Sequence, residues 1–170
     1  IGAAIAKNGD RDAGVNAVVR EARLLFAPAQ IWLQIHYKYN IEGYRQYDPR
    51  IREYFRNRAA EKLPRGMLFM GQIHKNGWGV PKDYKAAEKL FKLAAKRGFP
   101  DAQNFLGNIY KNGRGVLKDY KEAIKWYRKA ADQGNARAQD NLGEMYGRGQ
   151  GVNKDFKEAF KWIHKAAKQG

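Results

Sequence analysis

A 36-residue period governs residues 67–170 and leaves little freedom in what the chain can fold into. Gly71, Gly107 and Gly143 keep that spacing, as do Gly77, Gly113 and Gly149, and then Gly79, Gly115 and Gly151. Val80, Val116 and Val152 stay in step, followed by Asp83, Asp119 and Asp155 and by Ala87, Ala123 and Ala159. Double alanines opening at Ala94, Ala130 and Ala166, and the closing glycines Gly98, Gly134 and Gly170, complete each copy without an insertion. A repeat of this length is one supersecondary unit that cannot bury its apolar face alone and must stack on its neighbours.

Each copy reads as two helices. In the second, Asp119 is placed to be the N-cap and Glu122 stands three residues on, a capping-box spacing that Asp155 and Glu158 repeat. Tyr120, Ala123, Trp126, Tyr127 and Ala130 then recur at steps of three and four, the pattern of one buried face. Gly134 follows as a stop, because a residue without a Cβ turns left-handed freely. The shorter first helix turns Ala102, Leu106, Ile109 and Tyr110 inward, with Gly107 letting the two helices approach closely. The link from Gly113 to Val116 turns the chain between them. Positions that agree between copies are read as scaffold, so Trp126 and Trp162 belong to the core, where truncation to alanine costs roughly 3–5 kcal/mol.

This arrangement resembles the Sel-1-like repeat family, a relative of the tetratricopeptide repeats. The likeness rests on Ala102, Leu106-Gly107, Tyr110, Gly113-x-Gly115-Val116, Asp119, Ala123, Trp126, Lys129-Ala130-Ala131 and Gly134, together with the period. The middle copy matches best; the first has Leu90 where the others have Trp126 and Trp162. The expected fold is therefore all-α, a right-handed α-solenoid of stacked antiparallel helix pairs. We expect a partial degenerate repeat over 1–28, a degenerate repeat over 29–66, and clear repeats over 67–101, 102–137 and 138–170, forming one continuous solenoid.

The earlier residues carry fainter copies. Asp48-Pro49 is an N-cap followed by proline at the first helical position, and Ala59-Ala60 fall where Ala94-Ala95 fall after Asp83. Ala29, Leu33 and Tyr37 mimic a first helix after Pro28, and Ile5, Lys7, Asn8 and Gly9 echo Ile73, Lys75, Asn76 and Gly77. The chain begins at Ile1, so a signal peptide or more of the same protein is expected upstream. Neither end shows the polar face that usually caps a solenoid, which points to a longer array or to end-to-end association with another copy.

Composition narrows the function. The net charge is +16, spread over both halves of the chain, and predicts attraction to acidic surfaces. Cysteine is absent, which excludes disulfides, thiolate metal sites and a cysteine nucleophile. No apolar run reaches the roughly 18 residues of a membrane span. The Gly-x-Gly loops lack the strand that a dinucleotide fingerprint needs. His36, His74 and His164 occupy unmatched repeat positions and form no ligand pair. Asp83, Asp119 and Asp155 cap helices, and no nucleophile, base and orienting group come together, so neither catalysis nor a cofactor is expected.

A stacked array offers a long concave face instead. The resemblance implies that Arg65, Leu68, Gln72, Lys75 and Asn76 point into that groove in the first clear copy. Asp101, Asn104, Asn108, Lys111 and Asn112 do so in the second, and Arg137, Asp140, Glu144 and Arg148 in the third. Each also reads as an ordinary solvated position. Trp78, matched by Arg114 and Gln150 in the other copies, is either an exposed anchor or a ring folded back over a helix end. Tyr37, Tyr39, Tyr44, Tyr47 and Tyr54 interleave with Arg45, Arg50, Arg52, Arg56 and Arg58; Tyr44, Arg45 and Tyr47 are the contact candidates among them. Lys85, Lys89, Lys92 and Lys96 form a stripe along a second helix, continued by Lys121 and Lys125 and by Lys157, Lys161, Lys165 and Lys168. Two functions fit: a non-catalytic adaptor that grips an acidic protein, and a binder of nucleic acid or anionic surfaces through the lysines. The first is preferred, and the resemblance favours a bacterial envelope, periplasmic or secreted setting.

Overall fold

The computed structural model of the chain describes residues 49–61 and 63–169. Among the described residues there are seven helices and no strand. They are α1 (Pro49–Ala60), α2 (Pro64–Asn76), α3 (Tyr84–Lys96), α4 (Pro100–Asn112), α5 (Tyr120–Asp132), α6 (Ala136–Arg148) and α7 (Phe156–Ala167). Each helix packs chiefly on the one before it and the one after it. The pairs α2–α3, α4–α5 and α6–α7 are three copies of one hairpin, and the whole is an all-α repeat array. Pro49 opens α1, as the Asp48-Pro49 pair predicts, although Asp48 itself lies outside the described residues.

Local chemistry sets the helix ends. Asp83, Asp119 and Asp155 cap α3, α5 and α7, each carboxylate accepting from the backbone N–H three residues on at 2.9, 2.9 and 3.0 Å. The reciprocal half of the capping box does not form. The Asp119 N–H donates to the Tyr110 carbonyl at 3.0 Å, and that of Asp155 donates to Tyr146 at 3.0 Å. With those donors satisfied, Glu122 turns to Lys125 at 3.0 Å, and Glu158 accepts from the Trp162 indole at 2.8 Å. Proline opens α2 and α4, whereas Asn135 caps α6 by accepting from the Ala138 N–H at 2.9 Å. The first helices end in left-handed glycines, Gly113 having φ +67°, and this folds the Gly-x-Gly-Val link back toward the second helix.

The core runs along the array as one layer per junction. Phe91, Ala94, Ala102 and Leu106 are fully buried in the first, with Trp126 at its edge; Tyr127, Ala130, Ala138, Leu142 and Trp162 fill the second. Close approach within a hairpin depends on glycine. A Cβ on Gly107 would stand 2.6 Å from the Tyr127 ring, and one on Gly71 would stand 2.5 Å from the Phe91 ring. Separations that short do not occur between real atoms, so these positions fix how tightly the hairpins close.

Buried glutamines stitch neighbouring repeats together. Gln103 is 4% exposed, donates to the Ala95 carbonyl at 3.1 Å and accepts from the Gln133 amide at 2.7 Å. Gln139 repeats this one unit later, donating to Ala131 at 3.0 Å and accepting from Gln169 at 2.7 Å. On α7, Phe156, Phe160 and Ile163 remain exposed. Their counterparts one repeat earlier are Tyr120, Ile124 and Tyr127, of which Ile124 and Tyr127 are buried where α6 packs on α5.

Candidate functional site

The first helices α2, α4 and α6 lie side by side as the repeats stack, and the polar residues between their buried stripes form the surface singled out by sequence. The structure sorts these residues into three groups.

The first group is consumed by the scaffold. Leu68 is 5% exposed and packs in the core, so it does not face a groove. Asn104 is likewise 5% exposed and accepts from the Asn141 amide at 3.0 Å, a junction contact and not an open position. Asp101 is exposed but accepts from the Asn135 amide at 2.8 Å.

The second group forms a chain of charges across the junction between α4 and α6. Lys111 of α4 pairs with Glu144 of α6, and Glu144 also accepts from Arg148 at 2.9 Å. Its carboxylate is thus held between two cations from different repeats.

The third group lines an open pocket of about 210 Å³ between α2 and α4. Lys75, Asn108 and Asn112 come together there with Tyr84, Phe105, Ile109 and Arg114. The floor is aromatic: Phe105 stacks on Phe91 with centroids 5.1 Å apart and planes 13° from parallel. The Lys75 ammonium sits 4.8 Å above the Phe105 ring, and the Arg114 guanidinium 5.9 Å from the Tyr84 ring. Asn108 is held by the Tyr127 hydroxyl, which donates to its Oδ1 at 2.8 Å, and Asn112 donates to the Asn108 carbonyl at 2.8 Å. Burial pushes the Tyr127 phenol well above the ordinary tyrosine range, with the Glu144 carboxylate adding to the effect. That hydroxyl therefore remains a donor across the whole physiological range. Tyr84, Phe105 and Arg114 were not among the sequence candidates, because they become neighbours only when α2 and α4 stack.

Other candidates lie apart. Arg65, Gln72 and Asn76 are half-buried along α2, while Arg137 and Asp140 are exposed on α6. Trp78 takes the folded-back arrangement: it is half-buried, with its ring 6.1 Å from Phe69. Arg52 of α1 donates to the Gly79 carbonyl at 2.6 Å, tying that loop to the preceding helix. Tyr44, Arg45 and Tyr47 lie outside the described residues, as do Tyr37 and Tyr39.

The lysine stripes on the second helices are partly occupied. Lys92 pairs with Glu88 at 3.3 Å, Lys125 with Glu122 at 3.0 Å and Lys161 with Glu158 at 3.3 Å. Lys129 and Lys165 stand over Trp126 and Trp162 at 4.6 and 4.4 Å from the ring centroids. Among the described residues no group of three His, Cys, Asp or Glu is placed to hold a metal ion. No described helix is long and apolar enough to cross a membrane.

Comparison with known proteins agrees with this geometry. The family model described as Sel1 repeat matches residues 64–99, 100–135 and 136–170. Among solved structures, the chain is similar to a protective antigen of uropathogenic Escherichia coli strains that displays an SLR fold. That match has 35% identity and a TM-score of 0.76, over 91% of this chain and 33% of the antigen. A Sel1 repeat protein from Oxalobacter formigenes is 34% identical with a TM-score of 0.70, over 85% of this chain and 56% of that one. The Helicobacter pylori cysteine rich protein B is 25% identical with a TM-score of 0.55, over 69% of this chain and 84% of its own. The chain thus spans about a third and just over half of the first two relatives. No curated protein sequence matches it.

Proposed function

The chain belongs to the Sel1 repeat family, and from that premise we propose that it is a non-catalytic scaffold that grips an acidic protein partner along its first helices. Proteins of this family generally mediate protein–protein interactions. The observation that carries the finer reading is the pocket between α2 and α4, where Lys75, Arg114, Asn108 and Asn112 surround an aromatic floor. Donors and cations over stacked rings suit a polypeptide with acidic side chains better than a small apolar ligand. The partner helices or strands of an acidic protein would run along the junctions, and the +16 charge would speed their approach. The bacterial sources of the relatives favour an envelope or secreted setting for this interaction.

A nucleic-acid role through the second-helix lysines is the second reading. Its warrant is the excess of exposed basic residues, weakened by the glutamates and tryptophans that engage five of the lysines.

Affinity capture at about 150 mM salt, where the Debye length is about 8 Å, separates the two. The baits are the full chain, a Lys75→Glu/Arg114→Glu variant and a Lys85→Glu/Lys89→Glu variant, each with and without nuclease. The scaffold reading expects a protein that survives nuclease, binds saturably and is lost only in the first variant. Capture that collapses with nuclease and is lost only in the second variant would transfer the function to the lysine face. Protein capture indifferent to both pairs of substitutions refutes the placement of the site.

A further inference from the structure

The helix that closes the third hairpin presents the surface on which, one repeat earlier, a neighbour sits. Where α6 covers α5, Ile124, Tyr127 and Ala131 are buried. The same positions on α7 are Phe160, Ile163 and Ala167, all of them exposed, Phe160 by 69%. Phe156 beside them is exposed to the same extent. The polar members of the row are in place too. Gln103 and Gln139 donate to the carbonyls of Ala95 and Ala131, and Ala167 is the next in that series. Lys92 stands beside the Tyr110 hydroxyl, and Arg128 donates to the Tyr146 hydroxyl. His164 holds that place on α7, stacked on Phe160 with centroids 5.6 Å apart.

What fits such a row is visible at the two internal junctions. There α4 and α6 meet it with one pattern, Ala-Gln-x-x-Leu-x-x-x-Tyr: Ala102, Gln103, Leu106 and Tyr110, then Ala138, Gln139, Leu142 and Tyr146. The alanines and leucines are fully buried, the glutamines reach the carbonyls, and the tyrosines meet the cations. The pattern is absent from α2, which has Gly66 and Met67 in place of Ala-Gln and His74 in place of the tyrosine. The sequence contains it once more, at Ala29, Gln30, Leu33 and Tyr37, ahead of the described residues. The stretch before Pro28 is a poor mate for it. Counted from Asp12 as α5 is counted from Asp119, Ala17 and Arg20 stand in the places of Ile124 and Tyr127.

We propose that the α7 face is a docking site for a second copy of this chain, which lays its segment 28–40 along Phe156, Phe160 and Ile163 as α6 lies along α5. Gln30 then donates to the Ala167 carbonyl, and Tyr37 meets His164. The joint repeats the internal junctions, so the array continues from one copy into the next. Its two halves are different surfaces, so the contact is head-to-tail and copies add in sequence. Burial of the phenylalanine rings drives it. Two copies of charge +16 repel each other, and salt screens that repulsion, so association strengthens as salt rises.

Sedimentation of the full chain over a range of concentrations tests this. The mean mass should rise with concentration, and more steeply at about 500 mM salt than at about 50 mM. Phe160→Glu changes an exposed position, so the fold is kept while association weakens at least roughly tenfold. Leu33→Glu should do the same from the other side of the joint. Each variant keeps one intact half, so an equimolar mixture of the two should form pairs and nothing larger. Phe160→Glu added to the original chain should cap growing assemblies and lower their mean mass, whether or not Leu33→Glu folds. An excess of a peptide of residues 28–40 should also lower it, and the same peptide carrying Leu33→Glu should not.

A chain that sediments as single copies up to about 1 mM overturns the proposal, as does association indifferent to Phe160→Glu. Assemblies that Phe160→Glu fails to shorten would be joined by a symmetric contact between two α7 faces, which also overturns it. So does a chain that stays single while its α7 face binds a peptide of α6, Ala136–Arg148, because the face then takes a first helix from another source. None of these outcomes bears on what the first helices grip, which the capture experiment reads separately.

Discussion

Gly107 and Gly143 occupy the same place in successive repeats, yet adding one methyl group to each should have different consequences. At Gly107 the new Cβ would meet Cδ1 and Cε1 of Tyr127, both at 2.6 Å, and Cζ at 3.0 Å. That ring is fully buried, and its hydroxyl is tied to Asn108 at 2.8 Å, so it has nowhere to turn. At Gly143 the nearest atom is Cγ1 of Ile163 at 2.7 Å, followed by the Ala159 carbonyl at 3.0 Å. Ile163 is 47% exposed and can change rotamer into solvent, leaving a shift of a few tenths of an ångström against the carbonyl. Alanine gains about 1 kcal/mol over glycine in a helix, and overpacking a close contact costs about 1–3 kcal/mol. The first term is common to both sites, while the second is paid in full only at Gly107. Gly107→Ala should thus be destabilising by up to about 2 kcal/mol, and Gly143→Ala should lie within about 1 kcal/mol of the original chain. Urea unfolding of the three proteins, followed in parallel by helical circular dichroism and tryptophan fluorescence, measures the difference. Agreement of the two probes establishes a single transition. If Gly107→Ala unfolds at the same or higher urea than Gly143→Ala, the tyrosine contact does not set the closeness of the hairpin and the argument fails.

Two further substitutions probe the core and its titration. Trp162 donates to Glu158 at 2.8 Å, whereas the buried Trp126 indole N–H has no acceptor among the described residues. Trp126→Phe should therefore cost less than Trp162→Phe, by roughly 1 kcal/mol in urea unfolding, because only the second loses a formed bond. A larger cost at Trp126 would contradict this. Tyr127 is raised in the folded chain by burial first and by Glu144 second. Unfolded tyrosine ionises near pH 10, so the unfolded state sheds this proton first. The stabilising contribution is complete below about pH 10 and declines as pH rises through the folded value. Melting temperatures between about pH 9 and 11 should fall less steeply in Tyr127→Phe than in the original chain, and parallel curves would refute the assignment.

Much of this architecture was legible in the sequence because it repeats. The caps at Asp83, Asp119 and Asp155, the close approach at Gly107 and the burial of Trp126 and Trp162 all follow from chemistry local to one hairpin. What crosses between hairpins was not legible. Asn141 reaches Asn104 over 37 residues and Lys111 reaches Glu144 over 33, and neither offset is the repeat period. Periodicity says which residues are equivalent but not how far one unit is rotated on the next. Asn104 was misplaced for that reason: its helical position is polar, but Asn141 of the following repeat covers it. A signal was available at Gln103 and Gln139, amides set among alanines on the inward stripe at equivalent positions.

The glutamine bonds that run from repeat to repeat have a consequence for whatever lies along the first helices. Each one joins a buried amide to a carbonyl of the preceding repeat and to the last residues of its own second helix, so a rotation of one repeat on another breaks the first bond while the second holds the amide in place. The pitch of the array is thereby locked, and the array serves as a ruler. A partner that seats an acidic residue beside Lys75 must carry a further contact at a set distance, since Arg137 and Arg148 stand two repeats on. Binding strength would then depend on the spacing of the partner's residues more than on their number.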